Sequence, residues 1–548
     1  MFLPSLARQL LFIRITGFSE SHNAMNIYTP EDIDRILTAT IGTGNEDPDS
    51  PEARRRLELI MAVGAEVAET VCEENRKNGR VVIFAGSGLN GAFALQTATE
   101  LHANGIPAEV YLINIGGNRL TPDARAARDR FTELADSSFL FETTGLQLQL
   151  PDIDESTVIV DGLFGHEHNG PLMGGYQHLA RFINESEAFV ISIDLPSGMS
   201  ADLSVGMINR NIIHADITLT LVGPTTSFYM KENDELIGRW RILPVDLDPA
   251  AMQSTRCSTR LIEARNIRRI LPVRDRFASK ADLGNVILYA GSYGMLGAAV
   301  LATRAALRSG CGRVTCHGPR CGFFVMQSSV PSAMFETDGG DTDIRNFDTN
   351  GSYDGIGIGP GIGRSDATIL ALEKYLKASN AASQPLVLDA DALNCIALRP
   401  TMLDYIPARS VLTPHPGEFD RLFGHQPSSS ARLLKAIETA RAYSIIIVLK
   451  GHYTTTVWPD GSVLINSSGT EALACPGSGD VLTGLITGLI AQRINPEHAA
   501  VAGVYIHGIA GQIARRRHGI YGTTAEDIAE AIGLALESIV YPQERKKT

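Results

Sequence analysis

The chain of 548 residues lacks an excess of basic side chains: 48 Lys and Arg stand against 61 Asp and Glu, a formal net charge of -13. Nucleic acids and anionic membrane surfaces both require a basic face, so this charge argues against sequence-independent binding to either. The chain also lacks an apolar run of transmembrane length, because the one within MFLPSLARQLLFIRITG is too short to cross a bilayer. We therefore predict a protein without nucleic-acid or membrane partners.

Cysteine is sparse, and the seven present form an odd set scattered along the chain. A disulfide framework normally has a dense, even set in a small secreted domain. The three cysteines of CGRVTCHGPRC have no fourth ligand at a zinc spacing. This usage predicts free thiols and a reducing, cytoplasmic location.

Length and pattern together predict two domains, since one hydrophobic core rarely serves so long a chain. We expect residues 1–25 to be a disordered extension, with Met25 as an alternative start. A first domain is expected over 26–250, a linker over 251–262, where regular periodicity ends, and a second domain over 263–548.

The first domain has the pattern of a doubly wound α/β sheet. The strand-like runs RVVIFAG and AEVYLINIG flank the helical run GAFALQTATELHANG. Two later strands, STVIVDGLFG and EAFVISIDLPSG, lead to Asp161 and to Asp194 and Ser197. Because ligands bind at the carboxyl ends of such strands, we expect these side chains to converge.

The second domain repeats the α/β class. Five runs each read as a buried strand leading into a turn or helix: GNVILYAGSYG, YDGIGIGPGIG, QPLVLDADALN, SVLTPHPGE and SIIIVLKG. No residue-level repeat relates the two halves.

The stretch CPGSGDVLTG carries the strongest chemical signal. Gly477 and Gly479 let the backbone approach a ligand, and the following apolar run predicts a buried helix whose free N–H groups hold negative charge. Asp480 at that helix start is suited to accept a proton from a hydroxyl that attacks a phosphoryl group. The alternative is an aspartate that only caps the helix.

The ordered motifs AGSYGMLGAA, IGPGIG, LDADALN, TPHPGE, KGHYTTT, PGSGD and GTTAEDI resemble the ADP- or ATP-dependent NAD(P)H-hydrate dehydratases over about residues 265–540. The resemblance implies a ribokinase-like fold and the repair of hydrated nicotinamide cofactors. A nucleotide phosphorylates the hydroxyl of the damaged ring, and loss of phosphate restores NADH or NADPH. Bacterial members typically use ADP and release AMP and phosphate.

The same resemblance implies roles for individual residues. It makes Asp480 the base and a hydrate contact, adds Ala298, Gly361 and His415 as hydrate contacts, and makes Lys450, Gly451, His452, Tyr453, Thr454 and Gly479 nucleotide contacts.

Several of these positions have structural alternatives. Gly361 also suits a simple turn, and His415 suits a rigid loop with one hydrogen bond. Asp389 and Asp391 are suited either to helix capping or to Mg²⁺ near phosphates. Glu418, in the loop of His415, is a comparable supporting candidate.

In the first domain, VIVDGLFG, ISIDLPSG and HADITLTL resemble the NAD(P)H-hydrate epimerases, which have a Rossmann-like fold and interconvert the R and S hydrates. The resemblance implies a K⁺ site at Asn90, Asp161 and Ser197, whose oxygen atoms suit a hard cation. It also makes Asp194 a catalytic and substrate-binding candidate, with turn capping as the alternative.

The glycine-rich loop GLNGAFA departs from the epimerase pattern. Leu89 replaces an Asn, and Phe93 replaces an Asp that normally helps to bind the substrate. His166 and His168, in GHEHNGPL, are alternative acid–base groups, although a solvated loop is the favoured interpretation. We expect a domain that folds and binds a hydrate-like or nucleotide ligand, with epimerase activity reduced or lost.

Two other functions stay open. One is a ribokinase-type kinase for a small molecule, whose phosphorylated product accumulates. The other is a C-terminal dehydratase whose N-terminal half is a non-catalytic binding or oligomerising module. By resemblance the chain is also expected to form a homo-oligomer.

Overall fold

The structure, a computed structural model, describes residues 24–43, 50–115, 119–144, 150–168, 170–201, 211–347 and 351–542, except for the side chains of 380–382. Residues 1–23 of the predicted extension lie outside the described residues. The chain forms two compact units. The bulk of the first is Asn26–Cys257, and the bulk of the second is Ser258–Pro427 with Arg432–Thr548.

Helices and strands are mixed along the chain up to the end of the first unit. In order they are β1 (Met25–Ile27), α1 (Pro30–Ile41), α2 (Pro51–Glu74), β2 (Val81–Ala85), α3 (Leu89–Ala103), β3 (Ala108–Ile113), α4 (Pro122–Leu134), β4 (Leu140–Thr143), β5 (Val158–Gly162), α5 (Gly175–Asn184), β6 (Phe189–Ile193), β7 (Ile217–Thr220), α6 (Asp234–Ile237), β8 (Arg239–Ile242) and α7 (Pro249–Ser254).

The first unit has a seven-stranded sheet in the order β4-β3-β2-β5-β6-β7-β8. Each neighbouring pair is parallel. The strand order reverses between β2 and β5, which creates a crevice outside their carboxyl ends, the usual ligand position in doubly wound sheets. The predicted doubly wound sheet is therefore confirmed.

Both faces of this sheet are buried. Val81, Ile83 and Ala85 of β2 belong to one apolar cluster, and Val82 and Phe84 belong to another. Successive strand side chains point to opposite faces, so the unbroken apolar run VVIFA serves two helical layers at once.

The second unit begins inside the stretch predicted as a linker, because 251–262 contains the end of α7 and the whole of β9. Its elements are β9 (Thr259–Ile262), α8 (Ala264–Ile270), β10 (Asn285–Tyr289), α9 (Leu296–Arg308), β11 (Arg313–Gly318), α10 (Phe323–Ser329), β12 (Met334–Thr337), β13 (Gly355–Ile358), α11 (Asp366–Ala382), β14 (Val387–Leu388), α12 (Ala390–Leu398), β15 (Val411–Leu412), α13 (Pro416–Phe423), α14 (Ser429–Tyr443), β16 (Ile446–Leu449), β17 (Thr455–Val457), β18 (Val463–Asn466), α15 (Ser478–Ala491), α16 (Pro496–His518) and α17 (Ala525–Val540).

Within this unit the strand order is β9-β18-β17-β16-β15-β14-β13-β10-β11-β12. The strands from β16 through β12 in that order are parallel, whereas β17 is antiparallel to both of its neighbours. The order reverses between β10 and β13, so a second crevice opens at that point. All five strands predicted for this half are present, and the predicted α/β class is confirmed.

Helix α15 is buried along nearly its whole length, as predicted from VLTGLITGLIA. Its glycines allow α9 to pack closely. A Cβ on Gly484 would lie 1.9 Å from the Ala302 carbonyl oxygen, and one on Gly488 would lie 2.1 Å from Ser309 Oγ. No helix within the described ranges is both long and apolar enough to cross a bilayer.

Candidate active sites

Asp480 lies in the first turn of α15, behind a tight backbone turn at Gly477. The φ angle of Gly477 is 87°, and a Cβ there would lie 2.4 Å from Leu301 Cδ1, so conformation and space both require glycine. The turn leaves N–H groups at the start of α15 free of helical partners, beside the Asp480 carboxylate. This arrangement offers a proton acceptor next to donors for an anion.

The pKa of Asp480 is raised to about 7, first by burial and then by the negative charge of Asp389. Asp391 and Glu418 add smaller contributions in the same direction, and Lys450 opposes them. A carboxylate with a pKa near 7 is half ionised at neutral pH, which suits a general base.

Lys450 and Asp389 form the ion pair beside Asp480. Lys450 Nζ lies 2.6 Å from Asp389 Oδ1, and Thr483 Oγ1 donates to Asp389 Oδ2 at 2.6 Å. Asp389 is almost wholly buried and makes no side-chain capping bond at the start of α12, so the capping alternative for it is wrong. Asp391 instead accepts a hydrogen bond from the Gly363 N–H at 3.0 Å.

The turn after β16 holds the predicted nucleotide residues. The Gly451 N–H donates to Thr454 Oγ1 at 3.2 Å, and that hydroxyl donates to the Gly451 carbonyl at 2.9 Å. The rings of His452 and Tyr453 pack edge to face with centroids 4.7 Å apart. A compact, partly exposed turn therefore follows directly after Lys450.

Gly479, in the first turn of α15, lies against the side chain of Lys450. A Cβ on Gly479 would lie 3.2 Å from Lys450 Nζ and 3.7 Å from Asp389 Oδ2. The structure thus brings Gly479, Lys450 and Asp480 together from segments about thirty residues apart in sequence.

Two of the predicted hydrate contacts, Ala298 and Gly361, lie at the crevice between β10 and β13. A Cβ on Gly361, whose φ is 62°, would lie 2.7 Å from the Met295 carbonyl oxygen and 3.1 Å from Ala298 Cβ. Ser292 Oγ donates to the Gly361 carbonyl at 2.8 Å. Gly361 and Ala298 are therefore close neighbours, and both the positive φ and the tight packing require glycine at position 361.

His415 is the N-cap residue of α13 and not a simple loop histidine. Its Nδ1 accepts hydrogen bonds from the N–H groups of Gly417 at 3.0 Å and Glu418 at 3.3 Å. The Glu418 carboxylate accepts from the His415 N–H at 2.9 Å. The Lys450 N–H donates to the Pro414 carbonyl at 3.1 Å, which ties this loop to the nucleotide turn.

Two partners in this site were missed from the sequence, namely Thr483 and His507. His507 on α16 is buried, and its Nε2 lies 3.3 Å from Ser478 Oγ in the PGSGD turn. Burial, and then the charge of Lys450, lower the pKa of His507 to about 4, so the ring is neutral. No local pattern pointed to either residue, because both act on partners distant in sequence.

In the first unit, Asp161, Ser197 and Asn90 lie at the crevice between β2 and β5. Ser197 Oγ donates to Asp161 Oδ1 at 2.6 Å, and Asn90 Nδ2 donates to the Phe164 carbonyl at 2.9 Å and the Ile193 carbonyl at 3.1 Å. Burial raises the pKa of Asp161 although Ser197 and other donors oppose it. The expected convergence of these strand ends is therefore present.

Asp194 is bonded to His166, and this corrects the expected solvated loop. His166 Nδ1 lies 2.6 Å from Asp194 Oδ2, and its Nε2 lies 3.0 Å from Asp34 Oδ1. Burial disfavours the charged ring, but Asp194 and Asp34 raise the pKa of His166 to about 9. His168 is half-buried and stacks on Phe164 with ring centroids 4.5 Å apart.

Phe93 points into the hydrophobic core and is 2% exposed. Leu89 packs against the same cluster. Position 93 therefore supplies no polar group to the crevice, which the sequence already indicated, and the core accommodates the aromatic ring.

All seven cysteines are free thiols, as predicted. Among the residues that the structure describes, no group of three or more His, Cys, Asp or Glu side chains could hold a metal ion. The K⁺ site predicted for the first unit would instead use the oxygen atoms of one amide, one hydroxyl and one carboxylate.

Each half of the chain matches a family model, and most of the chain is similar to curated relatives. Residues 286–534 match the family model for NAD(P)H-hydrate dehydratase, and residues 56–227 match that for the YjeF-related protein N-terminus. The chain is 32% identical over 499 residues to the bifunctional NAD(P)H-hydrate repair enzyme Nnr of Moorella thermoacetica, covering 88% of this chain and 92% of the relative. The chain is 30% identical to the protein of the same name from Coxiella burnetii, covering 86% of this chain and 93% of the relative.

Among solved structures, the chain is similar to the ADP/ATP-dependent NAD(P)H-hydrate dehydratase of Bacillus subtilis co-crystallised with ATP and Mg²⁺. The identity is 30%, the TM-score is 0.43, and 50% of this chain and 97% of that chain are covered. A ribokinase-like superfamily protein from Enterococcus faecalis is 23% identical with a TM-score of 0.45, covering 52% and 98%.

Proposed function

The chain belongs to the family of bifunctional NAD(P)H-hydrate repair enzymes, and from this premise we propose that it restores hydrated NADH and NADPH in two steps. In this proposal the second unit dehydrates the S hydrate with ADP or ATP as the phosphoryl donor. The first unit interconverts the R and S hydrates so that both are consumed. This replaces the reduced or lost activity expected from Phe93, because Asp161, Ser197 and Asp194 still converge at the crevice.

Asp480 is the observation that carries the dehydratase half. Its carboxylate, with a pKa raised to about 7 by burial and by Asp389, lies beside Lys450. In the proposed reaction Asp480 accepts the proton of the hydrate hydroxyl while that oxygen attacks the terminal phosphoryl group. Departure of phosphate, together with loss of a proton from the neighbouring ring carbon, then restores the double bond of the reduced ring. Lys450 and the free N–H groups of α15 offset the negative charge that develops.

We assign the two sides of this site by their position in the fold. The nucleotide is held by Gly479 and the turn from Lys450 to Thr454, which consists of small, polar and aromatic groups after β16. The hydrate lies over Gly361 and Ala298, with His415 at the edge. The close packing at Gly361 supports this placement, because any side chain there would meet Met295 and displace the backbone that flanks the crevice.

Mg²⁺ is proposed to enter with the nucleotide, neutralising phosphate charge. Mg²⁺ commonly uses phosphates, water and only one or two carboxylates. Asp389 and Asp391 lie near Asp480, since the charges of both raise its pKa. We assign these two carboxylates to such a partial ligand set.

K⁺ is proposed for the first unit at Asn90, Asp161 and Ser197. Asn90 Oδ1 is buried and has no hydrogen-bond partner, although the Nδ2 of the same amide has two. Asp161 is fully buried, and among the described residues no cation pairs with it. A cation would satisfy the unpaired oxygen and offset the buried carboxylate.

K⁺ bound at this site should stabilise the folded protein against heat, and replacing Asn90 with Leu is expected to remove that stabilisation. For the unaltered chain, K⁺ should raise the melting temperature by about 2–4 °C relative to choline at equal ionic strength. Asn90→Leu should melt at the same temperature in both salts, since the oxygen is gone. Differential scanning calorimetry makes the measurement, and a K⁺ shift that persists in Asn90→Leu contradicts the assignment.

The whole function is tested with a mixture of R and S NADH hydrates, Mg²⁺, K⁺ and either ADP or ATP. We expect nucleotide-dependent return of reduced-nicotinamide absorbance for the entire mixture, faster than uncatalysed epimerisation allows. Conversion that stops once the S form is used identifies the N-terminal half as a non-catalytic module. Accumulation of a phosphorylated product, with no recovery of absorbance, identifies a small-molecule kinase. A homo-oligomeric assembly and a cytoplasmic location stay predictions from the sequence.

A further inference from the structure

Three ionisable side chains form a continuous chain in the first unit. Asp194 and His166 are each 5% exposed, whereas the Asp34 side chain on α1 is 59% exposed. His166 Nδ1 lies 2.6 Å from Asp194 Oδ2, and His166 Nε2 lies 3.0 Å from Asp34 Oδ1. Both ring nitrogens are therefore directed at carboxylate oxygens, one in the interior and one at the surface.

The backbone around Asp194 is held in an uncommon conformation. Its φ is 69°, in the left-handed region, and its N–H donates to the Leu219 carbonyl at 2.7 Å. Such a conformation is uncommon in a residue other than glycine, and it concentrates at functional sites. A Cβ on Gly165 would lie 2.6 Å from Asp194 Oδ2, so the loop backbone packs directly on this carboxylate.

One oxygen of Asp194 is fully used and the other is not. Oδ2 accepts from the His166 N–H at 2.8 Å and faces the His166 ring. Within the described ranges, no hydrogen bond engages Oδ1, and His166 is the one cation paired with Asp194. The interaction with His166 therefore decides which oxygen remains for a ligand.

We propose that His166 is a positioning residue for Asp194 in hydrate epimerisation: it holds Oδ2 and leaves Oδ1 for the hydroxyl of the hydrate. The inference rests on the proposed function of the first unit and makes it more specific. Phe93 places an apolar ring in the core where the epimerases have a substrate-binding Asp. Asp194 must then orient the hydrate, and the orientation of Asp194 itself depends on His166.

A pair of substitutions separates the two ring contacts. In His166→Asn the amide nitrogen occupies the place of Nδ1 and retains the bond to Asp194. In His166→Gln the amide nitrogen extends to the place of Nε2 and retains only the bond to Asp34. We expect epimerisation kcat to fall about 30-fold in His166→Gln with KM changed less than about threefold, and to recover to within about threefold of the parent in His166→Asn.

Dehydration of pure S hydrate by the same preparations is the control for enzyme concentration, and we expect it to be unchanged in both variants. Equal epimerase rates for His166→Gln and the unaltered chain, or equal losses in both variants, would overturn the inference and leave the proposed function intact. An unaltered chain that dehydrates the S form but does not epimerise would overturn the epimerase half of the proposed function, and the inference with it.

Discussion

Asp480→Asn should lower kcat for nucleotide-dependent dehydration of the S hydrate by about 1,000-fold, because a neutral amide cannot accept the hydroxyl proton. The amide has nearly the size of the carboxylate, so nucleotide affinity should change little. Single-turnover recovery of reduced-nicotinamide absorbance measures the rate, and equilibrium binding of ADP measures the affinity.

The pH dependence of the unaltered chain supplies the second half of this prediction. Burial and Asp389 raise the pKa of Asp480 to about 7, so the carboxylate form that accepts a proton predominates above pH 7. Dehydration should therefore rise with pH through about 7 and fall about tenfold for each unit below it. Epimerisation by the first unit serves as the reference activity. A pH-independent rate between 5 and 8, or near-normal turnover by Asp480→Asn, would exclude Asp480 as the base.

Asp389→Asn is expected to have the next largest effect, a loss of about 100-fold in dehydration kcat at neutral pH. The substitution leaves Lys450 without the carboxylate that lies 2.6 Å from its ammonium group. It also removes the charge that, after burial, does most to raise the pKa of Asp480. The pKa of Asp480 should then fall, so the acidic limb of the pH–rate profile should move to lower pH while the plateau drops.

Thr483 offers a graded control for this prediction. Its hydroxyl donates to Asp389 Oδ2 at 2.6 Å. Thr483→Ser keeps the donor and should retain most activity, whereas Thr483→Val keeps the volume, loses the donor and should lose about tenfold. If Asp389→Asn moves the acidic limb to higher pH, or leaves it in place, the electrostatic coupling between Asp389 and Asp480 is absent.

The sheet class of both units was predictable because buried parallel strands have a simple signature. Runs such as VVIFA and IIVL consist of apolar residues that pack on both faces, and turn residues follow each run. The loss of regular hydrophobic periodicity was a poorer guide to the domain boundary near residue 255. Strand Thr259–Ile262 is short, and its pairing with Val463–Asn466 is a contact between segments about two hundred residues apart.

The site residues differ in how far the sequence could describe them. Asp480 was recognisable because its chemistry, its glycines and its helix lie within ten residues. The partnership of Lys450 with Asp389 was not recognisable, since it joins the ends of two strands. His166 was misjudged for the same reason: a polar loop sequence predicts solvent exposure, whereas Asp34 and Asp194 surround this ring from other parts of the chain.

The sequence by itself determined the two α/β units, the family, and the identity of the groups that carry the chemistry, because these depend on local periodicity and on short motifs. The tertiary structure alone decided which of those groups are charged, paired or held in place. Those properties depend on desolvation and on distances of 3 to 4 Å between side chains that are far apart along the chain. The pKa of Asp480, raised to about 7, and the pairing of His166 with Asp194 are two properties that the tertiary structure decided.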